Sequence, residues 1–108
     1  MINALFICSR NRLRSPTAEQ VFASWPGVET DSAGLVDDAD RVVDADQIDW
    51  ADIVFVMEAV HLRRLKLRFG KHLGRKKVVC LDIPDNYTLM QPELIALLET
   101  KAGRFLRR

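Results

Sequence analysis

The chain predicts an α/β fold: one domain over 1-108, three layers, with a four-stranded parallel sheet and helices on both faces. Three observations carry this. Short apolar runs alternate with longer segments of helical period. The apolar runs are continuous rather than alternating, as in strands covered on both sides. At 108 residues and 48% hydrophobic composition, the chain suffices for a single modest core.

Each element follows from local pattern. Ile2–Ile7 reads as a buried strand. Thr17–Trp25 reads as a helix, with Ala18, Val21, Phe22 and Trp25 at helical spacing and Pro26-Gly27 ending it. Val28–Ser32 is a short second strand. Ala33–Asp49 is acidic and weakly patterned, a loop with one helical turn near Asp46–Trp50. Ile53–Met57 is a third buried strand. Ala59–Phe69 is a helix turning Leu62, Leu65 and Phe69 inward and Arg63, Arg64 and Lys66 outward, with Gly70 as its cap. Val78–Leu81 is the fourth strand. Pro92–Leu106 is a last helix, with Leu94, Leu97, Leu98, Ala102, Phe105 and Leu106 on one side. In parallel sheets ligands bind beyond the carboxyl ends of the strands. Cys8, Gly34, Glu58 and the segment Asp82–Tyr87 all follow strands, so one edge of the sheet collects them.

The chemistry concentrates in Cys8-Ser9-Arg10-Asn11-Arg12-Leu13-Arg14-Ser15-Pro16, directly after the first strand. A cysteine and an arginine six positions apart on a strand-to-helix loop can meet around one small oxyanion. Loop N–H groups and the helix N-terminus add to that attraction, and together they favour the thiolate of Cys8. Arg14 offers a planar fork for two phosphate oxygens. Ser15 can donate its hydroxyl to the Cys8 sulfur. Asn11 tolerates the left-handed conformation that a tight anion-binding turn requires, and Pro16 suits the first position of a helix.

These residues resemble the phosphate loop of the low-molecular-weight protein tyrosine phosphatase family, position by position for Cys8, Asn11, Arg14, Ser15 and Pro16. Thr30-Asp31-Ser32-Ala33-Gly34 is similar to that family's Ser-Ala-Gly segment. Ala51–Met57 followed by His61-Leu62-Arg63-Arg64-Leu65 is similar to its third strand and next helix. The resemblance implies a cysteine-dependent phosphatase acting on phosphotyrosine or other aryl phosphate monoesters through a cysteinyl-phosphate intermediate. It implies Cys8 and Arg14 as catalytic residues and Ser9, Arg10, Asn11, Arg12, Leu13, Ser15 and Tyr87 as substrate-binding ones. Tyr87 is the candidate for stacking on a substrate ring, and packing beside the last helix is its alternative. No metal or cofactor is implied, and inorganic phosphate is the product. The family's acid lies in an Asp-Pro-Tyr loop. Here Leu81-Asp82-Ile83-Pro84-Asp85-Asn86-Tyr87 offers two aspartates; the apolar phase of the following helix favours Asp85, with Asp82 as the alternative acid.

The departures define a shortened branch. Arg10 stands where the family has glycine, Leu13 replaces its second loop cysteine, and the stretch between Gly34 and Trp50 is compressed. Two rival readings share the scaffold: an arsenate reductase, for which only Cys80 remains as a relay thiol, and a non-catalytic oxyanion or phospho-ligand binding module. A small-metabolite phosphatase is a third possibility. Cys80 reads as a small core residue, His61 and His72 as surface residues without metal-ligand spacing.

Charge is segregated. Residues 1–57 carry 4 Lys/Arg against 10 Asp/Glu, and residues 58–108 carry 12 against 5. Eight basic residues between Arg63 and Lys77 form either a solvated face or a stretch that steers anionic partners. No apolar run approaches membrane-spanning length, and two cysteines make no disulfide scaffold. The expected setting is the cytoplasm, without membrane or nucleic-acid partners.

Overall fold

A computed structural model of the protein describes residues 1–107. Four strands, β1 (Ile2–Cys8), β2 (Val28–Gly34), β3 (Ile53–Val56) and β4 (Lys77–Cys80), form an all-parallel sheet of order β2-β1-β3-β4. The helices are α1 (Arg14–Ala23), α2 (Ala45–Trp50), α3 (Ala59–Leu73), α4 (Pro92–Lys101) and α5 (Gly103–Leu106).

Period-2 alternation along β1 divides the core. Ala4, Phe6 and Cys8 face one side, where Ala18 and Phe22 of α1, Leu94 and Leu98 of α4, and Leu106 of α5 close over them. Leu5 and Ile7 face the other, against Ile48 of α2 and Leu65 of α3. Both faces are thus covered, and β1 is buried from Ala4 to Cys8. Phe6 stacks between Phe22 and Phe55, with ring centroids 5.6 and 5.0 Å away. Each fully buried ring contributes about 1.5–3 kcal/mol, so the strand that delivers Cys8 is among the most firmly held parts of the molecule.

Element boundaries differ from the sequence reading in instructive ways. The first helix begins at Arg14, so Pro16 is its third residue rather than its first. That is still within the first turn, where a missing N–H leaves no intrahelical bond unmade. The third helix runs past Gly70 to Leu73; its regular geometry breaks at Phe69 (φ −129°, ψ 23°), and Gly74, at φ 47°, ends it. The last helix is divided at Ala102 (φ −100°) into α4 and α5. The apolar side holds across that division: Leu94, Leu98, Ala102 and Leu106 are all buried. Within the acidic stretch, Val42 bridges Gly34 and Asp44 caps α2 by accepting from the Gln47 N–H at 2.8 Å.

Candidate active site

Cys8 is the last residue of β1, and the loop 9–13 carries the chain to α1. Three carbonyls of this loop are taken by neighbours. Ser9 C=O accepts from the N–H groups of Leu35 (2.8 Å) and Val36 (3.1 Å), Arg10 C=O from Asp40 N–H (3.1 Å), and Leu13 C=O from Thr17. In a trans peptide the C=O and the following N–H point in opposite directions. The N–H groups of Arg10, Asn11 and Arg14 therefore face away from these partners. Among the described residues, no N–H from Ser9 to Arg14 donates to a backbone carbonyl. Asn11 sits at φ 57°, the left-handed turn conformation.

Gly34 makes this closure possible. A Cβ there would lie 2.6 Å from both Ser9 O and Ala39 Cβ. The β2–α2 connection packs directly on the loop backbone because that side chain is missing.

Behind Cys8 runs a buried polar chain. Cys8 Sγ is 3.0 Å from Ser15 Oγ, and Asn11 Nδ2 donates to Ser15 Oγ (3.0 Å) and Ser32 Oγ (2.9 Å). Ser32 in turn hydrogen-bonds the Glu19 carboxylate. The carboxylate can only accept, so Ser32 donates to it and receives from Asn11. The Asn11 amide also donates to Ser15, whose hydroxyl proton then has two acceptors within reach, the Cys8 sulfur at 3.0 Å and Ala33 C=O at 3.4 Å. The Asn11 side chain serves the loop's interior rather than its mouth.

Arg14 is buried, 3% exposed. Its Nη1 donates to Glu58 Oε1 (2.6 Å) and to Ile83 C=O (2.7 Å), while its Nε lies 3.6 Å from Asp85 Oδ1. The guanidinium is fixed from β3's C-terminal end on one side and from the segment after β4 on the other. A cleft of about 440 Å³ opens here, lined by Cys8, Ser9, Arg10, Arg12, Leu13 and Arg14 of the loop and by Asp85 facing them.

The structure separates the two aspartates. Asp85 lines the cleft beside Arg14. Asp82 borders a different depression with Cys80, Lys101 and Arg104, at φ 56°, its backbone C=O accepting from Lys101 Nζ. Tyr87 is half-buried against the core cluster and is not among the side chains lining the cleft. Arg10 and Arg12 stand at the mouth, paired with Asp38 and Asp40.

His61 corrects the sequence reading, which placed it on the surface. It is 1% exposed. Its Nδ1 accepts from the Glu58 N–H (3.1 Å), which leaves the proton on Nε2, 2.9 Å from Ser9 Oγ. Burial, and then the neighbouring Arg14 guanidinium, lower its pKa to about 4, so the ring is neutral at pH 7. The signal was present: His61 and Leu65 share a helix face, and a side chain three residues into a helix reaches back to the N-cap N–H. His72 does lie at the surface, 3.1 Å from Asp49.

A parallel sheet of order β2-β1-β3-β4 with a Cys-x5-Arg loop at its first strand is the architecture of the low-molecular-weight protein tyrosine phosphatases, which this chain resembles over nearly its whole length. Among solved structures, the tyrosine phosphatase Wzb from Escherichia coli K30, crystallised with phosphate, is 25% identical. It superposes with a TM-score of 0.76, covering 97% of this chain and 96% of that one. The YwlE arginine phosphatase from Geobacillus stearothermophilus is 23% identical (TM-score 0.77; 98% and 94% covered). The low-molecular-weight protein tyrosine phosphatase SP-PTP from Streptococcus pyogenes is 19% identical (TM-score 0.79; 98% and 91% covered). No family model matches this chain, and no curated protein matches it by sequence.

Proposed function

We propose that the protein is a cysteine-dependent phosphatase that hydrolyses phosphotyrosine or another aryl phosphate monoester. The observation that carries this is the convergence of Cys8 Sγ, the buried Arg14 and Asp85 on one cleft, in a fold shared with phosphatases.

The reaction has two displacements. Cys8 thiolate attacks phosphorus, forming an S–P bond as the P–O bond to the leaving group breaks; Asp85 gives its proton to the departing oxygen. Water then attacks phosphorus, the S–P bond breaks, and Asp85 takes the proton from water. Ser15 Oγ, 3.0 Å from the sulfur, stabilises the thiolate as it leaves. The loop N–H groups and Arg14 hold the equatorial oxygens, whose charge is greatest in the transition state. For Arg14 to present its fork, its bonds to Glu58 and Ile83 orient it without using every donor.

One alternative substrate is favoured by a specific observation. Among the described residues, no aromatic side chain lines the cleft, and one structural neighbour is an arginine phosphatase, so phosphorylated arginine is the second reading. Assays on phosphotyrosine and phosphoarginine peptides, in wild type and Cys8→Ser, test both. We expect wild type to release phosphate, rapid quench to trap label on Cys8 and not Cys80, and Cys8→Ser to lose turnover. Activity retained in Cys8→Ser overturns the nucleophile.

A further inference from the structure

The phosphate loop carries two more arginines than the displacement of one phosphate requires. Arg14 is buried at the base; Arg10 and Arg12 line the mouth of the same cleft. Each is already matched by an acid from the β2–α2 connection. Arg10 Nη1 lies 3.6 Å from Asp38 Oδ2, and Arg12 Nε donates to Asp40 Oδ1 at 3.2 Å while its Nη2 donates to Asp38 C=O at 3.3 Å. These side chains are 46–67% exposed. Pairs in such a setting contribute only about 0–1 kcal/mol and are screened by salt, so exchanging one carboxylate for another is easy.

The acids themselves cannot drift away. Their loop is tied to the phosphate loop by backbone bonds from Leu35, Val36 and Asp40, independently of the side chains. Asp38 and Asp40 therefore stand as fixed, internal competitors at two exposed cations that line the cleft.

We propose that Arg10 and Arg12 form a second anion subsite, so that the preferred substrate is a phosphate monoester bearing a further carboxylate or phosphate beyond its ester oxygen. That group displaces Asp38 and Asp40 from the arginines when the substrate docks. The inference rests on the phosphatase reading and specifies its substrate class. An acidic segment flanking a phosphorylated residue and a small dianionic metabolite share this chemistry.

The test uses two matched pairs. One is carboxyphenyl phosphate against its carboxamide analogue; the other is a phosphotyrosine peptide with glutamate flanks against the same peptide with glutamine. At low salt the charged member of at least one pair should show a few-fold higher kcat/KM, falling toward parity in 0.5 M salt. The Debye length shrinks from about 10 Å at 0.1 M toward about 3 Å at 1 M, and exposed charges farther apart than that are screened. The pair with the larger ratio identifies the source of the second anion. In Asp38→Asn/Asp40→Asn the ratio should rise to about 10-fold, worth about 1.4 kcal/mol. In Arg10→Gln/Arg12→Gln it should approach 1. Titration of both pairs into Cys8→Ser by calorimetry reads the same preference as a ratio of Kd, without turnover. Absence of hydrolysis with a charge-dependent Kd ratio would overturn the phosphatase reading and leave the subsite standing. Equal kcat/KM and equal Kd for both members of both pairs, or a preference that survives Arg10→Gln/Arg12→Gln, would overturn the subsite.

Discussion

Single side chains decide the proposed chemistry, and the sharpest case is the choice between Asp82 and Asp85. They are three residues apart, yet only Asp85 shares the cleft with Arg14 and Cys8. Asp85→Asn should lose about 10²-fold or more on phenyl phosphate, whose leaving group needs a proton, and much less on an activated nitrophenyl ester. Asp82→Asn should show no such dependence on leaving group; finding it there would exchange the roles. His61 sets a second residue-scale expectation. Its pKa falls from the ordinary 6.5 to about 4 on folding, so the unfolded chain binds a proton in that window and the folded one does not. Stability conferred above pH 6.5 is then lost as pH falls toward 4, by up to about 3 kcal/mol. Urea titrations at pH 7 and pH 4.5 measure it. His61→Gln, which cannot titrate, should show a smaller difference than wild type; an equal difference would mean that other groups carry the acid sensitivity.

Among elements, the β2–α2 connection matters more than its weak pattern suggests. It holds the carbonyls of Ser9 and Arg10, which aims the next two N–H groups the other way. Its approach depends on Gly34, where an added Cβ meets Ser9 O and Ala39 Cβ at 2.6 Å. Neither neighbour is free to yield: one is backbone of the phosphate loop, the other the β-carbon of Ala39. Gly34→Ala should therefore destabilise the protein by about 1–3 kcal/mol and lower phosphatase activity at the same time, because the displaced atoms are those of the loop itself. Denaturant midpoints and phosphate release measured on one preparation check the pairing of the two effects. A stable variant with impaired turnover would place Gly34 in the loop's geometry alone.

The sheet as a whole keeps the two cysteines apart. Ile7, Val56 and Cys80 lie in one row across β1, β3 and β4. Two strand spacings separate the ends of that row, roughly 10 Å, whereas a disulfide needs Cα atoms within about 7 Å. The thiols also occupy opposite sides: Cys8 belongs to the Phe6 cluster, and Cys80 packs against that of Leu5 and Ile7. Peroxide should drive Cys8 to sulfinic and sulfonic forms rather than to a reversible intramolecular bond. Mass spectrometry before and after dithiothreitol decides it, and a dominant Cys8–Cys80 disulfide would require the sheet to open.

What the sequence determined by itself was whatever rests on neighbours along the chain. Apolar runs of strand length, helical spacing in α3 and α4, and the contiguous residues from Cys8 to Ser15 are local patterns, so the sheet, the helices and the phosphate loop were legible. The tertiary structure alone decided which distant groups meet. Glu58 and Ile83 orient Arg14 across 44 and 69 residues, His61 reaches Ser9 across 52, and Asp38 and Asp40 meet the loop arginines because the β2–α2 connection folds back on them. The packing of Tyr87 against the core cluster, one of the two placements the sequence left open, belongs here too. A lone histidine or aspartate carries no periodicity; its burial and partners are set by the sheet order β2-β1-β3-β4, which places the ends of β1, β3 and β4 side by side.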